Sequence, residues 1–217
     1  MVAGMTTPWW SKTALEMAAL VRDKQVSSRE LVEAHLARIE EVNPKVNAVV
    51  RVLADTALQT AKERDDQTVK GQFVGAFHGV PYTVKDNIDI AGLPTTQGIP
   101  ALAEAIPVNT SPVVERMNGA GAIPIARTNL PDLGLRIHTD SSLFGRTKNP
   151  WNPDRTVGGS SGGEGAALAT GMSPLGLGND IGGSLRNPAH CCGIASIKPS
   201  TGVIPDTQTF PIEDFGL

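Results

Sequence analysis

GGSSGGEGAALATG, residues 158–171, sets two adjacent serines, Ser160 and Ser161, between two Gly-Gly pairs and follows them with a run of helix formers. A Gly-rich stretch that leads into a helix can cradle an anion on its backbone N–H groups. It can equally be a nucleophile turn or a flexible loop. Both serines fit Gly-x-Ser-x-Gly, which in an α/β-hydrolase follows a strand and precedes an acid and a histidine in chain order. Here the lead-in, residues 152–157 (NPDRTV), does not make a strand, and Asp180 and His190 follow very soon after. A P-loop also fails, because no Gly-Lys-Ser/Thr closes the glycine run.

Downstream, NDIGGSLR (residues 179–186) sets a third serine, Ser184, behind two glycines just past the apolar run Pro174–Gly178. Successive small residues there let backbone N–H groups converge on one spot, the geometry an oxyanion hole needs. Upstream, the β-prone run Val80-Pro81-Tyr82-Thr83-Val84 delivers Lys85 at its end. Two serines in glycine turns and a lysine at a strand end are a more pointed set than any one alone.

The surrounding pattern is that of an α/β protein. Thr13 with Glu16 and Ser27 with Glu30 have capping-box spacing, and Leu31, Val32, His35, Leu36, Ile39 and Val42 recur at helical period behind the second box. Asn43-Pro44 is expected to stop that helix, and a third is expected over about 54–63. Ser111-Pro112 reads as an N-cap with Pro at N1, opening a helix to Gly119 or Gly121. Residues 123–126, 174–178 and 193–197 read as strands, and Pro131 as the start of a short helix. Alternating helices and short strands predict a mostly parallel or mixed sheet. No linker divides the chain, so one domain over 1–217 is expected: a helical part over 1–70 and a part over 78–205 carrying the motifs.

Bulk properties exclude several functions. At 40% hydrophobic and 19% charged residues with net charge −3, the composition is that of a soluble globular protein without the basic footprint of a nucleic-acid binder. No run reaches the length of a membrane span, and the opening MVAGMTTPWWSK lacks the pattern of a secretory signal. Cys191 and Cys192 are adjacent, where a disulfide is strained, which fits a reducing cytoplasm. With no CxxC, no HExxH and four scattered histidines, neither a metal site nor a cofactor is expected.

Taken together, GGSSGGEG, NDIGGSLR and CGIASIKPSTG over residues 158–202 resemble the signature of the amidase signature family of serine hydrolases. FHGVPYTVKDNID resembles that family's lysine segment. ARTNLPDLG, SLFGRTKNPWNPDRT and the N-terminal VSSRELVEAHLARIEEVNPKVNAVV resemble its intervening and leading segments, so the likeness covers essentially the whole chain. It implies a mixed sheet flanked by helices, an α/β/α sandwich, incomplete at its C-terminus because family members are usually far longer. It also implies hydrolysis of carboxylic amides, and of esters too, through an acyl-serine intermediate.

The resemblance assigns roles residue by residue. Ser184 corresponds to the nucleophile, Ser160 to a bridging serine that the family holds by a cis peptide bond, and Lys85 to the relay base. Backbone N–H groups of Ile181, Gly182, Gly183 and Ser184 correspond to the oxyanion hole. Asp180, Ser161 and Arg186 would hold the loops, and Gly134 and Leu135 fall where the substrate pocket is lined. The chemistry is coherent: a serine hydroxyl needs a base, a lysine can be that base only when neutral, and burial favours the neutral amine. Glu164 stands where many family members have serine. Its first-turn position suits the helix dipole, and no chemistry is assigned to it.

The short chain leaves three readings open: a piece of a longer enzyme, a short form that pairs with itself or with a complementary chain over its open sheet edge, or an inactive remnant. The alternative to a hydrolase is accordingly a non-catalytic or partner-dependent half, such as one component of an amidotransferase-like complex.

Overall fold

A computed structural model describes residues 8–205. Both capping boxes form. Thr13 and Glu16 exchange bonds at the start of α1 (Ala14–Arg22), and Ser27 and Glu30 do so at the start of α2 (Ser28–Val46). Each satisfies N–H groups that the first turn of a helix leaves without partners.

Asn43-Pro44 does not stop α2, which continues to Val46 and ends at Asn47 in the left-handed region, φ 53°. In the last turn Pro44 deletes only a single ladder bond, so the usual penalty of an interior proline is not met. Asn43 instead fastens the next strand. Its Oδ1 accepts the N–H groups of Ala48 and Val49 at 2.8 and 2.7 Å, and its Nδ2 donates to the Val49 carbonyl at 2.8 Å.

That strand, β1 (Val49–Val52), is not marked in the sequence pattern. The helix after it, α3 (Ala54–Val69), runs past the expected end near Glu63. Its last turn is held from outside: Thr68 Oγ1 lies 3.0 Å from His78 Nε2, and Arg64 Nε donates to the Gly121 carbonyl at 3.4 Å.

The remaining strands and α-helices are β2 (Pro81–Lys85), α4 (Pro112–Gly119), β3 (Ile123–Thr128), a small hairpin of β4 (Asp140–Ser141) and β5 (Gly145–Arg146), α5 (Gly162–Ala169), β6 (Gly176–Leu177) and α6 (Arg186–Cys192). Pro131 precedes a single 3-10 turn, Asp132–Gly134. Residues 193–197 do not form the expected strand. Gly193 closes α6 at φ 71°, the N–H groups of Gly193 and Ile194 both turn back to the Ala189 carbonyl, and no strand among the described residues lies beside them.

The main sheet is mixed, in the order β1-β3-β2-β6. β1 is antiparallel to β3, and β2 is parallel to both β3 and β6. Alternation along β2 divides its side chains between two layers. Tyr82 and Val84 pack with Val114 of α4, while Thr83 meets Glu164 of α5. The largest core cluster joins α2, α3, β1, β3, α5 and α6 through residues such as Val32, Ala61, Ile125, Ala166 and Cys192, so the helical N-terminal part and the motif-bearing part share one core. β6 ends the sheet among the described residues. Beside it lies a cavity of about 510 Å³ lined in part by Leu177, Ile181, Leu185, Ile194 and Ile197.

Candidate active site

Lys85 is carried to the centre of the molecule by β2, whose every residue is buried between β3 and β6. Its Nζ lies 2.7 Å from Ser160 Oγ and 2.5 Å from Asn179 Oδ1, and its side chain is fully buried. The segment after Lys85 is pinned by a buried ion pair. Asp86 Oδ1 accepts from Arg127 Nε at 2.9 Å, the Thr96 hydroxyl donates to Asp86 Oδ2, and Arg127 Nη1 donates to the Ile88 carbonyl at 2.6 Å.

Ser160 and Ser161 sit on the glycine turn that enters α5, both buried. The Gly159-Ser160 peptide bond is cis. The glycines on either side are there for close approach. A Cβ on Gly159 would lie 2.6 Å from the Arg136 carbonyl oxygen, and one on Gly163 would collide with the backbone of Asn129. The turn is then tied down by its own polar groups. Gly159 N–H donates to Asn187 Oδ1 at 3.0 Å, Gly162 N–H to Thr139 Oγ1 at 3.1 Å, and Gly163 N–H to the Asn129 carbonyl at 3.1 Å.

Ser184 lies on the loop between β6 and α6. It meets the first serine block through the backbone, its carbonyl accepting the Ser161 N–H at 3.1 Å, while Ser161 Oγ donates to the Asn179 carbonyl at 3.4 Å. Its own hydroxyl has no hydrogen bond to the other described residues, so the contact of Lys85 with Ser160 is formed and that of Ser160 with Ser184 is not.

Asp180 organises this loop. Its carboxylate accepts from Gly183 N–H at 2.6 Å, Leu185 N–H at 3.0 Å, and Arg186 Nε and Nη2 at 3.0 and 2.9 Å. Burial opposes the charge on Asp180, but the Arg186 guanidinium and the backbone N–H groups outweigh it and hold the carboxyl well below the usual range. The Gly183 N–H is therefore committed, while those of Ile181, Gly182 and Ser184 have no acceptor among the described residues. Gly134 comes close to Ser160, since a Cβ there would lie 3.5 Å from Ser160 Oγ. Leu135 beside it is exposed.

Three polar groups at this site have no chemical role in the sequence reading. Asn179 contacts Lys85, and Asn187 anchors Gly159. Glu164 is not a surface group at the head of a helix. It is buried, with Thr83 and Thr128 hydroxyls donating to its two oxygens at 2.6 and 2.8 Å. Burial pushes this carboxyl up to about 7, against the pull of the two hydroxyls, Lys85 and Arg127. The signal for Glu164 was its departure from the serine expected there; Asn179 and Asn187 carried no comparable mark. Among the described residues no cluster of His, Cys, Asp and Glu could hold a metal ion, and no helix is long and apolar enough to cross a membrane.

A family model described as Amidase matches residues 30–214, a span that contains Lys85, both serine blocks and their connecting loops. The chain belongs to the amidase family. Its relatives include the indoleacetamide hydrolase of Bradyrhizobium diazoefficiens, 50% identical over 198 residues that make up 91% of this chain and 38% of that protein. One component of the glutamyl-tRNA(Gln) amidotransferase of Sulfurihydrogenibium sp. is 40% identical over 193 residues, 89% of this chain and 40% of that protein. The solved structure of a bacterial aryl acylamidase of the amidase signature group superposes with a TM-score of 0.82 at 40% identity, over 84% of this chain and 38% of that one. The chain thus spans about two fifths of the length of the amidase-family proteins it matches.

Proposed function

We propose that this chain carries the acyl-transfer site of a hydrolase of carboxylic amides, with Ser184 as nucleophile, Ser160 as proton bridge and Lys85 as base. The observation that carries this reading is the buried 2.7 Å contact between Lys85 Nζ and Ser160 Oγ, beside a loop whose Ser184 is tied by its carbonyl to the next residue, Ser161. An amine enclosed in this way has reason to be neutral, because burial disfavours the ammonium, and only the neutral amine can take a proton.

In this reading a turn of the Ser184 hydroxyl toward Ser160 completes the relay. Ser160 accepts the Ser184 proton as its own passes to Lys85, and Ser184 Oγ bonds to the carbonyl carbon of the amide. The negative charge on the former carbonyl oxygen is met by backbone N–H groups of the 181–184 segment, Ile181, Gly182 and Ser184 being the donors left open beside the anchored Gly183. The proton then returns through Ser160 to the leaving nitrogen as the C–N bond breaks. Water, activated by the same base, releases the acid from the acyl-serine. Esters fit the same steps. Asp180, Arg186 and Ser161 hold the loops, and Gly134 and Leu135 line the approach. The substrate is a small-molecule amide, and free Cys191 and Cys192 suit a reducing cytoplasm.

A second reading is favoured by the amidotransferase relative. In it the chain is a partner-dependent half, completed by a second copy or a complementary chain over the β6 edge. Hydrolysis of amides and esters by the purified chain, beside Ser184→Ala, separates the two, with phosphonate labelling read by mass spectrometry. We expect label on Ser184 and loss of all turnover in the variant. A folded chain that neither turns over nor takes label would move the activity to the longer assembly.

A further inference from the structure

Asn187, near the start of α6, is bonded to both serine-bearing segments. Its Oδ1 accepts the N–H of Gly159 at 3.0 Å, and its own N–H donates to the Gly183 carbonyl at 2.7 Å. Gly159 immediately precedes Ser160, and Gly183 immediately precedes Ser184. The residues that lead into the two serines are therefore joined through one residue. On the trailing side the Ser161 N–H donates to the Ser184 carbonyl at 3.1 Å, main chain to main chain, a bond that no side-chain substitution removes directly. The leading tie depends on the identity of a side chain.

We propose that Asn187 is a positioning residue for the relay: it sets the distance between Ser160 and Ser184, so that rotation of the Ser184 side chain is enough to close the contact between their hydroxyls. This rests on the reading of Ser184 as nucleophile and Ser160 as bridge. The group at Gly159 is an N–H donor, so the atom it meets is the amide oxygen of Asn187. A carboxylate oxygen could take its place, whereas an alkyl side chain could not.

The surroundings fit a tie of fixed length. A Cβ on Gly158, at φ 84°, would lie 2.7 Å from Pro188 Cα and 2.8 Å from Asn187 Oδ1, so a side chain there would push α6 off the turn. The Ser184 loop is stiffened on its own account by Asp180, which accepts from Gly183, Leu185 and Arg186. The glycine turn is stiffened by Thr139, whose Oγ1 donates to the Gly158 carbonyl at 2.9 Å and accepts the Gly162 N–H at 3.1 Å. The far end of α6 is held separately: Asn149 Nδ2 and Trp151 Nε1 donate to the Cys191 and Cys192 carbonyls at 2.9 and 2.7 Å. Loss of the Asn187 amide thus leaves two stiff segments and a docked helix, and frees the spacing of the serines on its leading side.

The test is the rate at which an alkyl fluorophosphonate labels Ser184 in the full chain, read by mass spectrometry over a range of reagent concentrations. Asn187→Leu keeps the size of the side chain and removes the acceptor. Its maximal labelling rate should fall about 100-fold, the scale of a misplacement of about 1 Å, with the half-saturating concentration little changed. Asn187→Ala should repeat the loss with a smaller side chain, and stands in should Asn187→Leu not fold. Asn187→Asp, which restores an acceptor, should recover most of the rate. Trp151→Phe, which removes a bond at the opposite end of α6, should label at the parent's rate even where its urea midpoint falls as far as that of Asn187→Leu. Labelling of the acceptor-less variants at the parent's rate, no recovery in Asn187→Asp, or an equal loss in Trp151→Phe would overturn the proposal and leave the hydrolase reading in place. A parent chain that takes no label would remove that reading, and this role with it.

Discussion

A methyl group on Gly159 would press on main-chain atoms of Arg136, Ile137 and His138 at 2.6–2.7 Å, and backbone cannot swing away as a side chain can. Gly182, on the loop before Ser184, has nothing within 4 Å of the same position. Gly159→Ala should therefore lower stability by about 1–3 kcal/mol in urea unfolding, while Gly182→Ala should stay within about 0.5 kcal/mol of the parent. Equal effects at the two sites would contradict the close-packing account of the turn. At this scale the sequence is legible where likeness to a known family carries the message: Lys85 and Ser160, 75 positions apart, which that likeness sets together, lie 2.7 Å from each other. It is illegible wherever the message lies in what a loop points at. Asn179 reads as the neighbour of Asp180 until the fold turns its amide onto Lys85. Glu164 reads as a helix-dipole acid until Thr83 and Thr128 are seen around it.

Helices α1 and α2 were legible because capping boxes are local devices, closed within four residues. Their complement was not. The first two N–H groups of α2, from Ser28 and Arg29, donate to Asp65 of α3 at 2.6 and 3.1 Å, across 37 and 36 positions of sequence. Ser27 serves a different donor, Glu30 N–H. Asp65→Ala and Ser27→Ala should each cost about 1 kcal/mol. Because they satisfy separate groups, the double variant should lose nearly the sum in thermal unfolding; a double variant no worse than either single would mean that one cap suffices. The same contrast explains the strands. β1 has only four residues and exists through its pairing with β3. Residues 193–197 have a strand-like composition but no partner strand among the described residues, and propensity without pairing does not make a sheet.

For the whole molecule, the alternation of helix and strand conveys the α/β class, whereas the order β1-β3-β2-β6 depends on long-range pairing that no local pattern states. The molecule's acid–base balance is likewise a property of the folded whole, and two buried groups pull it in opposite directions. Folding raises Glu164 from 4.5 to about 7. The native state thus holds that proton more tightly than the unfolded chain, and its contribution is complete below pH 4.5 and lost as pH rises through about 7. His35, buried on α2 with Nδ1 2.7 Å from the Leu31 carbonyl and Nε2 without a partner, is lowered by burial from 6.5 to about 4. Its contribution is present above 6.5 and lost as pH falls through about 4. Each amounts to about 3 kcal/mol, and over the overlapping window they largely cancel. Removing one exposes the other. In Glu164→Gln, urea midpoints should rise with pH between about 4 and 6.5 more steeply than in the parent, through His35 alone. In His35→Leu, they should fall as pH rises from 4.5 toward 7, through Glu164 alone. Three parallel curves would mean that neither group changes its affinity for protons on folding, and that the interior around Lys85 is wetter than its burial implies.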